Sequence, residues 1–246
     1  MNRREALFSL GAAATASATL VTAGKAQAEV IKGIPAATGI SPDHLPSPVR
    51  RGGGFQVLTR DTDRQTLAAV FDRLIPSDAN GPSATEAGCI DFLDAQLAGP
   101  FGSGAALYLE GPLNQENDEA MMGQPQFLAT PRERYESGLA ALEAYAQSTD
   151  GVAFAILSPN RIDEILTGLE AGEIELPDGV NGQAFFELML QNAREGYLAD
   201  PLYGGNKDMA GWKMMGFPGA RYDFRPYIER RGEDLGLTPV SLIPND

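Results

Sequence analysis

The sequence predicts an all-α protein, a small bundle of about five helices with long irregular arms and a C-terminal loop rich in glycine and aromatic residues. Five segments repeat apolar residues three and four positions apart, which is the spacing of an apolar stripe along a helix. Alternating apolar and polar residues occur only in Glu173–Pro177, a stretch too short to seed a sheet. A length of 246 residues suits one domain of this kind.

The first two helices are predicted from capping sequences that precede their apolar stripes. Thr62 and Gln65 have the spacing of a capping box, and Pro76 marks the end of the first helix. After a turn, Ser83 opens the second helix, with Glu86 three residues on. The residues of these two helices that are predicted to face the core are Leu67, Val70, Phe71, Leu74, Ile90, Leu93 and Leu97.

Three more helices follow an irregular stretch at 101–129. Thr130 gives the clearest start, because a proline follows it and Glu133 occupies the third helical position. The predicted spans are Thr130 to about Gln147, Ser158 to about Gly172, and about Gly182 to Arg194. Their predicted core residues are Tyr135, Leu139, Leu142, Ile162, Ile165, Leu166, Leu169, Phe185, Phe186, Met189 and Leu190.

The stretch 194–222 differs from the rest of the chain. It holds the only tryptophan and three of the seven tyrosines among many glycines, and most of it lacks helical or strand periodicity. This composition predicts a loop whose backbone turns often while its rings pack against another surface. That surface is either a partner protein or the chain's own helices, and the two interpretations are compatible. The candidate partner-contact residues are Tyr203, Gly204, Gly205, Asn206, Trp212, Phe217 and Tyr222.

The N-terminal residues have the features of an export signal. Arg3 and Arg4 precede a mildly apolar run, and a small-x-small motif ending at Ala28 offers a cleavage site. Paired arginines favour a twin-arginine (Tat) signal, with a general secretory signal as the alternative. The predicted organisation is therefore a leader at 1–28, a Pro/Gly-rich arm at 29–58 and a helical domain at 59–246, in an exported, periplasmic protein.

The chain is acidic, with a formal net charge of −14. Cleavage after residue 28 would remove three basic residues and one acidic residue, which leaves −16. A surface of this sign repels nucleic acid and anionic lipid headgroups, so neither is expected as a direct partner. Solubility alone also accounts for such a charge.

Motifs for catalysis or for cofactor binding are absent from the sequence. A dinucleotide fingerprint, a P-loop, a nucleophile elbow, a zinc motif and a haem-attachment motif are all missing. Cys89 lies on the apolar side of a predicted helix, where a buried thiol and an intersubunit disulfide are the alternatives. His44 has no companion ligand. Asp200 and Asp208 are the first candidates for a carboxylate-dependent hydrolase, although both also suit turns.

Several segments together resemble the gluconate 2-dehydrogenase subunit 3 family. They are the Tat-like leader, LAAVFDRLIPSD at 67–78, GPSATEAGCIDFLD at 81–94, GQPQF with TPRERYESGLAAL at 123–142, and DPLYGGNKDMAGWKMMGFPGARY at 200–222. The residues that carry the last match are Asp200, Pro201, Tyr203, Gly204, Gly205, Asn206, Gly211, Trp212, Gly216, Pro218 and Gly219.

The resemblance implies a non-catalytic small subunit that binds no cofactor itself. Its expected partners are a large FAD-dependent subunit of the glucose-methanol-choline oxidoreductase type and a multihaem cytochrome c subunit that anchors the complex to the membrane. The small subunit would supply the Tat leader and help the flavoprotein to mature. Some relatives form a disulfide with the catalytic chain, which makes Cys89 a candidate intersubunit thiol. The alternative functions are a stand-alone exported binding protein and an unrecognised hydrolase.

Overall fold

Six α-helices and several short 3-10 turns make up the described part of the chain. The structure is a computed structural model that describes residues 47–49, 54–107, 127–221 and 223–242. All of them belong to the second of two compact units, 46–246. The helices are α1 (Asp61–Leu74), α2 (Cys89–Ala98), α3 (Pro131–Asp150), α4 (Pro159–Glu170), α5 (Gly182–Leu198) and α6 (Ala210–Met215). The described residues contain no strand longer than an isolated bridge, so the all-α prediction is confirmed.

Helix α5 is the centre of the bundle and contacts each of the other five helices. Its buried face carries Phe185, Phe186 and Met189, as the apolar spacing predicts. The ring of Phe185 meets Tyr135 of α3 edge to face at 5.7 Å. The Tyr135 hydroxyl donates to Asn192 Oδ1 at 2.9 Å, which satisfies two buried polar groups between α3 and α5.

The helix starts show which local signals decide the fold. At α3, Thr130 and Glu133 form a complete capping box, and Ser158 caps α4, as predicted. At α1 the predicted capping box of Thr62 and Gln65 is wrong, because the N-cap is Arg60 and its side chain makes no cap bond. Acidic residues in the first turn of α1 complement the helix dipole instead.

Helix α2 starts later than predicted, although its capping pair forms. The Ser83 backbone N–H donates to Glu86 Oε2 at 2.8 Å, and the Glu86 N–H donates back to Ser83 Oγ at 3.3 Å. The chain then makes a turn rather than a helix, because Gly88 adopts a left-handed φ of 83°. The helix therefore begins at Cys89. Ile90, Leu93 and Leu97 are buried as predicted.

Helix ends were predicted less well than helix faces. Helix α3 continues to Asp150 rather than about Gln147, and α5 continues to Leu198 rather than Arg194. Several predictions lie outside the described residues: the leader with Arg3, Arg4 and its cleavage site at Ala28, most of the arm at 29–58, and His44. Most of the irregular stretch at 101–129 also lies outside them.

The described end of the arm is fastened to α2 by one carboxylate. Asp94 Oδ1 accepts the backbone N–H groups of Val57 and Leu58, and Oδ2 accepts that of Gln56, each at 2.8 Å. Leu58 lies in the core, and the Arg64 guanidinium covers the Phe55 ring at 4.7 Å. The packed part of the chain therefore includes residues before 59.

We expect the substitution Asp94→Ala to destabilise the protein by roughly 2–4 kcal/mol, because three backbone donors lose their acceptor. Asp94→Asn should cost less, since the retained Oδ1 still accepts from Val57 and Leu58 while only Gln56 loses its partner. Urea unfolding followed by circular dichroism measures both changes. Glu136→Ala, which removes an exposed carboxylate from α3, is the control and should stay within about 0.5 kcal/mol. An unchanged unfolding midpoint for Asp94→Ala would show that the carboxylate does not hold the arm.

Candidate partner interface

The C-terminal end of α5 is closed by side chains from the segment that follows it. The last carbonyl groups of a helix have no partner within the helix. Here the Trp212 indole N–H donates to the Leu198 carbonyl at 2.7 Å, and Asn206 Nδ2 donates to the Ala199 carbonyl at 2.8 Å. Asn206 Oδ1 accepts the backbone N–H of Gly211 at 2.8 Å. Residues 200–215 therefore form a cap on α5, called the α5 cap below.

The backbone of the α5 cap is unusually constrained. Asn206, Asp208 and Met209 adopt left-handed φ values of 45°, 57° and 56°, which non-glycine residues seldom do. Gly205 lies so close to α5 that a Cβ atom there would collide with the carbonyl of Gly196. The hydrogen bonds of the fully buried Asn206 offset the cost of this conformation. The segment was predicted to be a loop, and the structure corrects this with two 3-10 turns and the six-residue helix α6.

Helix α6 ends in a Schellman motif that positions an aromatic side chain on the surface. Gly216 has a left-handed φ of 68°, and its N–H donates to the Lys213 carbonyl at 3.3 Å. The N–H of Phe217 donates to the Trp212 carbonyl at 2.8 Å. The apolar contact that accompanies such motifs is present, because the Phe217 ring meets the Trp212 ring edge to face at 5.3 Å.

Asp200 joins the α5 cap to the C-terminal tail. Its carboxylate accepts the backbone N–H of Leu202, the Ser241 hydroxyl and the backbone N–H of Leu242, all at 2.9 Å. Three donors thus occupy a carboxylate that the sequence offered as a candidate acid or base. Asp208 is exposed on a turn. The geometry gives Asp200 a structural role and does not favour carboxylate-dependent hydrolysis at this position.

The predicted contact residues separate into buried and exposed sets. Gly204, Gly205, Asn206 and Trp212 are buried within the chain itself, as the internal-cap interpretation expects. Tyr203 and Phe217 are exposed, at 42% and 44% of their surface, and for these side chains partner contact stays a prediction. Tyr222 lies outside the described residues.

Sequence reasoning missed Met214 and Met215, which are 47% and 54% exposed on α6. Two adjacent methionines directly after the only tryptophan were the available signal. Flexible, polarisable thioethers on a surface are typical of protein contacts.

Tyr203 also borders a shallow, mostly apolar groove between α2 and α5. The groove has a volume of about 560 Å³, and Phe92, Leu198 and Ala199 contribute to its lining. Arg194, Glu195 and Gln96 provide its polar border. An apolar groove with a polar border next to an exposed tyrosine is suited to receive a side chain of another protein.

Cys89 is fully buried at the contact between α2 and α5. Its thiol lies 3.7 Å from the Ala193 carbonyl, and burial raises the pKa of the thiol to about 12. This burial agrees with the interpretation as a small buried hydrophobe. A disulfide with another chain would require this contact between helices to open.

Neither a metal cluster nor a membrane-spanning helix is found in the part of the chain that the structure describes. No three His, Cys, Asp or Glu side chains among these residues are grouped to hold a metal ion. None of the described helices is long and apolar enough to cross a bilayer.

Comparison with known protein families identifies the chain. The sequence profile of gluconate 2-dehydrogenase subunit 3 matches residues 61–219. The chain belongs to this family. The matched region runs from the first residue of α1 through the α5 cap to Gly219, so it includes all six described helices. Comparison with curated proteins gave no match, and neither did comparison with solved structures. The family description makes its members subunits of a dehydrogenase, which is compatible with an accessory chain.

The α5 cap should depend on Trp212 for its stability. We expect Trp212→Ala to cost about 3–5 kcal/mol, because it removes a buried ring and leaves the Leu198 carbonyl without a donor. Trp212→Phe keeps a ring against Phe217 and should cost about 1–2 kcal/mol for the lost hydrogen bond. Urea unfolding gives the free energies, and hydrogen exchange at the Gly211 amide reports on the cap itself.

The matched control is Phe224→Ala, which truncates an exposed ring outside the cap and should stay within about 0.5 kcal/mol. Full protection of the Gly211 amide in Trp212→Ala would contradict a capping role for this side chain.

Cys89 should resist alkylation in the folded protein. Its folded pKa is raised to about 12 from an ordinary value of 9.0, so the folded state holds the proton across this interval while the unfolded state releases it. The stability that this thiol contributes is present below pH 9.0 and falls as the pH rises toward 12. Iodoacetamide at pH 8.5 should label the chain in urea and not in buffer, as measured by intact mass. Equal labelling rates in both solutions would show that the thiol is accessible.

Proposed function

We propose that this chain is the non-catalytic small subunit of an exported, flavin-dependent dehydrogenase complex of the gluconate 2-dehydrogenase type. The family match carries the proposal, because it covers the whole described bundle together with the α5 cap. A match of this extent concerns the fold and the cap together rather than a single motif.

The proposed partners follow from the family resemblance. The catalytic chain is a large FAD-dependent subunit of the glucose-methanol-choline oxidoreductase type, and a multihaem cytochrome c subunit takes its electrons. FAD and haem c belong to these partners. The present chain contributes a scaffold, and the conspicuous carboxylates Asp94 and Asp200 support this role because each is engaged by three donors of its own chain.

Export is the second part of the proposed role. The Tat route carries folded proteins, so a catalytic chain without its own signal can leave the cytoplasm bound to this subunit. The leader at 1–28, with Arg3 and Arg4, supplies the signal, and cleavage follows Ala28. The complex then works in the periplasm and is held at the membrane by the cytochrome subunit.

The proposed substrate of the complex is gluconate, with 2-ketogluconate, glucose, fructose and sorbitol as alternatives. Contacts to the substrate belong to the large chain. This subunit should therefore affect how much active enzyme reaches the periplasm rather than which sugar is oxidised.

An exposed apolar surface favours a subunit over a stand-alone protein. Met214, Met215 and Phe217 are exposed next to each other around the end of α6. A soluble protein that works alone seldom leaves adjacent large apolar side chains in water. A subunit that docks on a partner protein accounts for this surface.

The test is affinity capture of the chain, tagged at its C-terminus and produced in its native host, from solubilised membranes. We expect two larger chains in the eluate, with flavin absorbance, c-type haem bands and dye-coupled gluconate oxidation. The twin-arginine variant Arg3→Lys/Arg4→Lys should leave both this subunit and the flavoprotein in the cytoplasm. Arg50→Lys/Arg51→Lys makes the same chemical change at a second arginine pair and should not alter export.

Two results would contradict the proposal. A colourless single chain, with no loss of dehydrogenase activity from the membranes after capture, would exclude the complex. Export of the flavoprotein at the normal level in Arg3→Lys/Arg4→Lys cells would exclude the export role while leaving the complex intact.

A further inference from the structure

The exposed apolar side chains of the described residues are concentrated at one end of the sequence. Eight of the twelve exposed large apolar residues lie at 203–242, so the surface that these residues form differs from the rest of the bundle. Five of the eight come from two segments that lie side by side, since Val240 bridges to Gly219 and its N–H donates to the Pro218 carbonyl at 3.3 Å. We call these five residues the C-terminal edge: Met214, Met215, Phe217, Val240 and Leu242.

The C-terminal edge is held in place before any partner arrives. Phe217 rests against the buried Trp212, and the backbone of Leu242 is bound by Asp200. The Ala220 N–H donates to the Val240 carbonyl at 2.7 Å and completes the bridge. A surface that is already ordered loses less conformational entropy on binding than a flexible one.

The segment that carries Met214, Met215 and Phe217 of the C-terminal edge has a charge opposite to that of the protein as a whole. Residues 207–231 contain six basic and three acidic residues, a formal charge of +3, in a chain of −14. Residues 207–246 hold six of each sign, so the excess negative charge comes from the residues before 207. Lys207, Lys213 and Arg231 are exposed and form no ion pair with the residues described.

We propose that the C-terminal edge is the docking surface for the catalytic subunit and that the matching face of that subunit is apolar and bordered by carboxylates. This inference rests on the function proposed above. The apolar residues next to the exposed Lys213 are complementary to such a face, and the opposite charges would both steer and orient the encounter.

Two other occupants fit the charges less well. If a second copy of the chain docked by the same edge, both faces would carry the same exposed lysine, Lys213, and neither would supply a carboxylate to pair with it from the five edge residues. An anionic bilayer would attract the local cations, but the net charge of the whole protein opposes its approach. A separate polypeptide can confine its carboxylates to the border of one apolar patch, so it meets the local cations without presenting an extended negative surface.

The experiment compares tagged full-length variants in the native-host capture described above and measures the flavin recovered per tagged chain. We expect Met214→Gln/Met215→Gln to lower flavoprotein recovery about tenfold or more, because the edge loses apolar contact without a change of charge. Lys207→Glu/Lys213→Glu should lower recovery several-fold. Wild-type recovery should fall as sodium chloride in the wash rises from 50 to 300 mM, and the charge-reversal variant should show a smaller dependence.

Controls away from the C-terminal edge separate docking from folding and from the general effect of a charge reversal. Ile156→Gln removes an exposed apolar side chain of the 3-10 turn at 154–156, and Arg60→Glu makes a charge reversal before α1; both should capture as the wild type does. The emission maximum of Trp212, the only tryptophan, should be unchanged in every variant and shows that the α5 cap is intact.

Each outcome decides between the proposals. Wild-type recovery by both edge variants would overturn the docking surface and leave the proposed function standing. Absence of flavoprotein from the wild-type eluate would overturn both. Retention of the chain on vesicles of phosphatidylglycerol, with no loss of flavoprotein from the edge variants, would assign the edge to the membrane instead. A two-fold dimer of the captured wild type that the edge variants lose, with flavoprotein retained, would assign it to self-association.

Discussion

The described residues that follow α5 depend on hydrogen bonds to two carbonyl groups at the end of that helix. The carbonyl groups of Leu198, the last residue of α5, and of Ala199, which follows it, receive no hydrogen bond from an N–H group of the helix. Trp212 and Asn206 supply the donors from positions 14 and 7 residues further along the chain. The bond of Asn206 positions the start of the left-handed turn, and the bond of Trp212 positions α6. The left-handed turn, α6 and the bridge to the tail are therefore consequences of capping one central helix.

The same principle operates at the other end of the described chain. At Asp94 one carboxylate of α2 binds three successive backbone N–H groups of the arm, and at Asp200 one carboxylate binds three donors, two of them from the tail. Hydrogen bonds to a charged acceptor are stronger than those between neutral groups. The protein thus attaches both of its irregular ends to the bundle by carboxylates that a search for catalytic groups would have selected.

The sequence predicts the features that depend on residues close together in the chain, such as helix caps and the buried faces of helices. The capping box of Thr130 and Glu133 and the cap at Ser158 involve residues three apart, and the buried face of α5 follows from helical spacing alone. The late start of α2 was not predictable, because it depends on the left-handed Gly88 and on a turn held by bonds to other parts of the chain. Two of these bonds are Ala84 N–H to the Ile75 carbonyl and Lys207 N–H to the Ala87 carbonyl.

For the candidate interface, the sequence predicted the segment but not which of its side chains are exposed. Composition marked 194–222 as a contact segment, and the family resemblance marked the same residues. A helix of six residues shows no periodicity from which an inward and an outward face can be assigned, so the sequence left partner contact and internal packing open for Trp212, and the methionines beside it were overlooked. The structure buries Trp212, whose indole N–H donates to the Leu198 carbonyl, and leaves Met214 and Met215 exposed.

If the C-terminal edge docks as proposed, capping and docking are two parts of one equilibrium. A six-residue helix is far too short to be stable by itself in water, so α6 depends on its tertiary contacts, among them the bond of Trp212 to Leu198 and that of Asn206 to Gly211. A partner that binds Met214, Met215 and Phe217 binds only the capped conformation and therefore stabilises it by mass action. In turn, the cost of the left-handed residues 206, 208 and 209 lowers the stability of the unbound cap. On the proposed function, a chain that must be folded before export acquires its most stable state when its catalytic partner is bound, which favours export of the complex over export of the subunit alone.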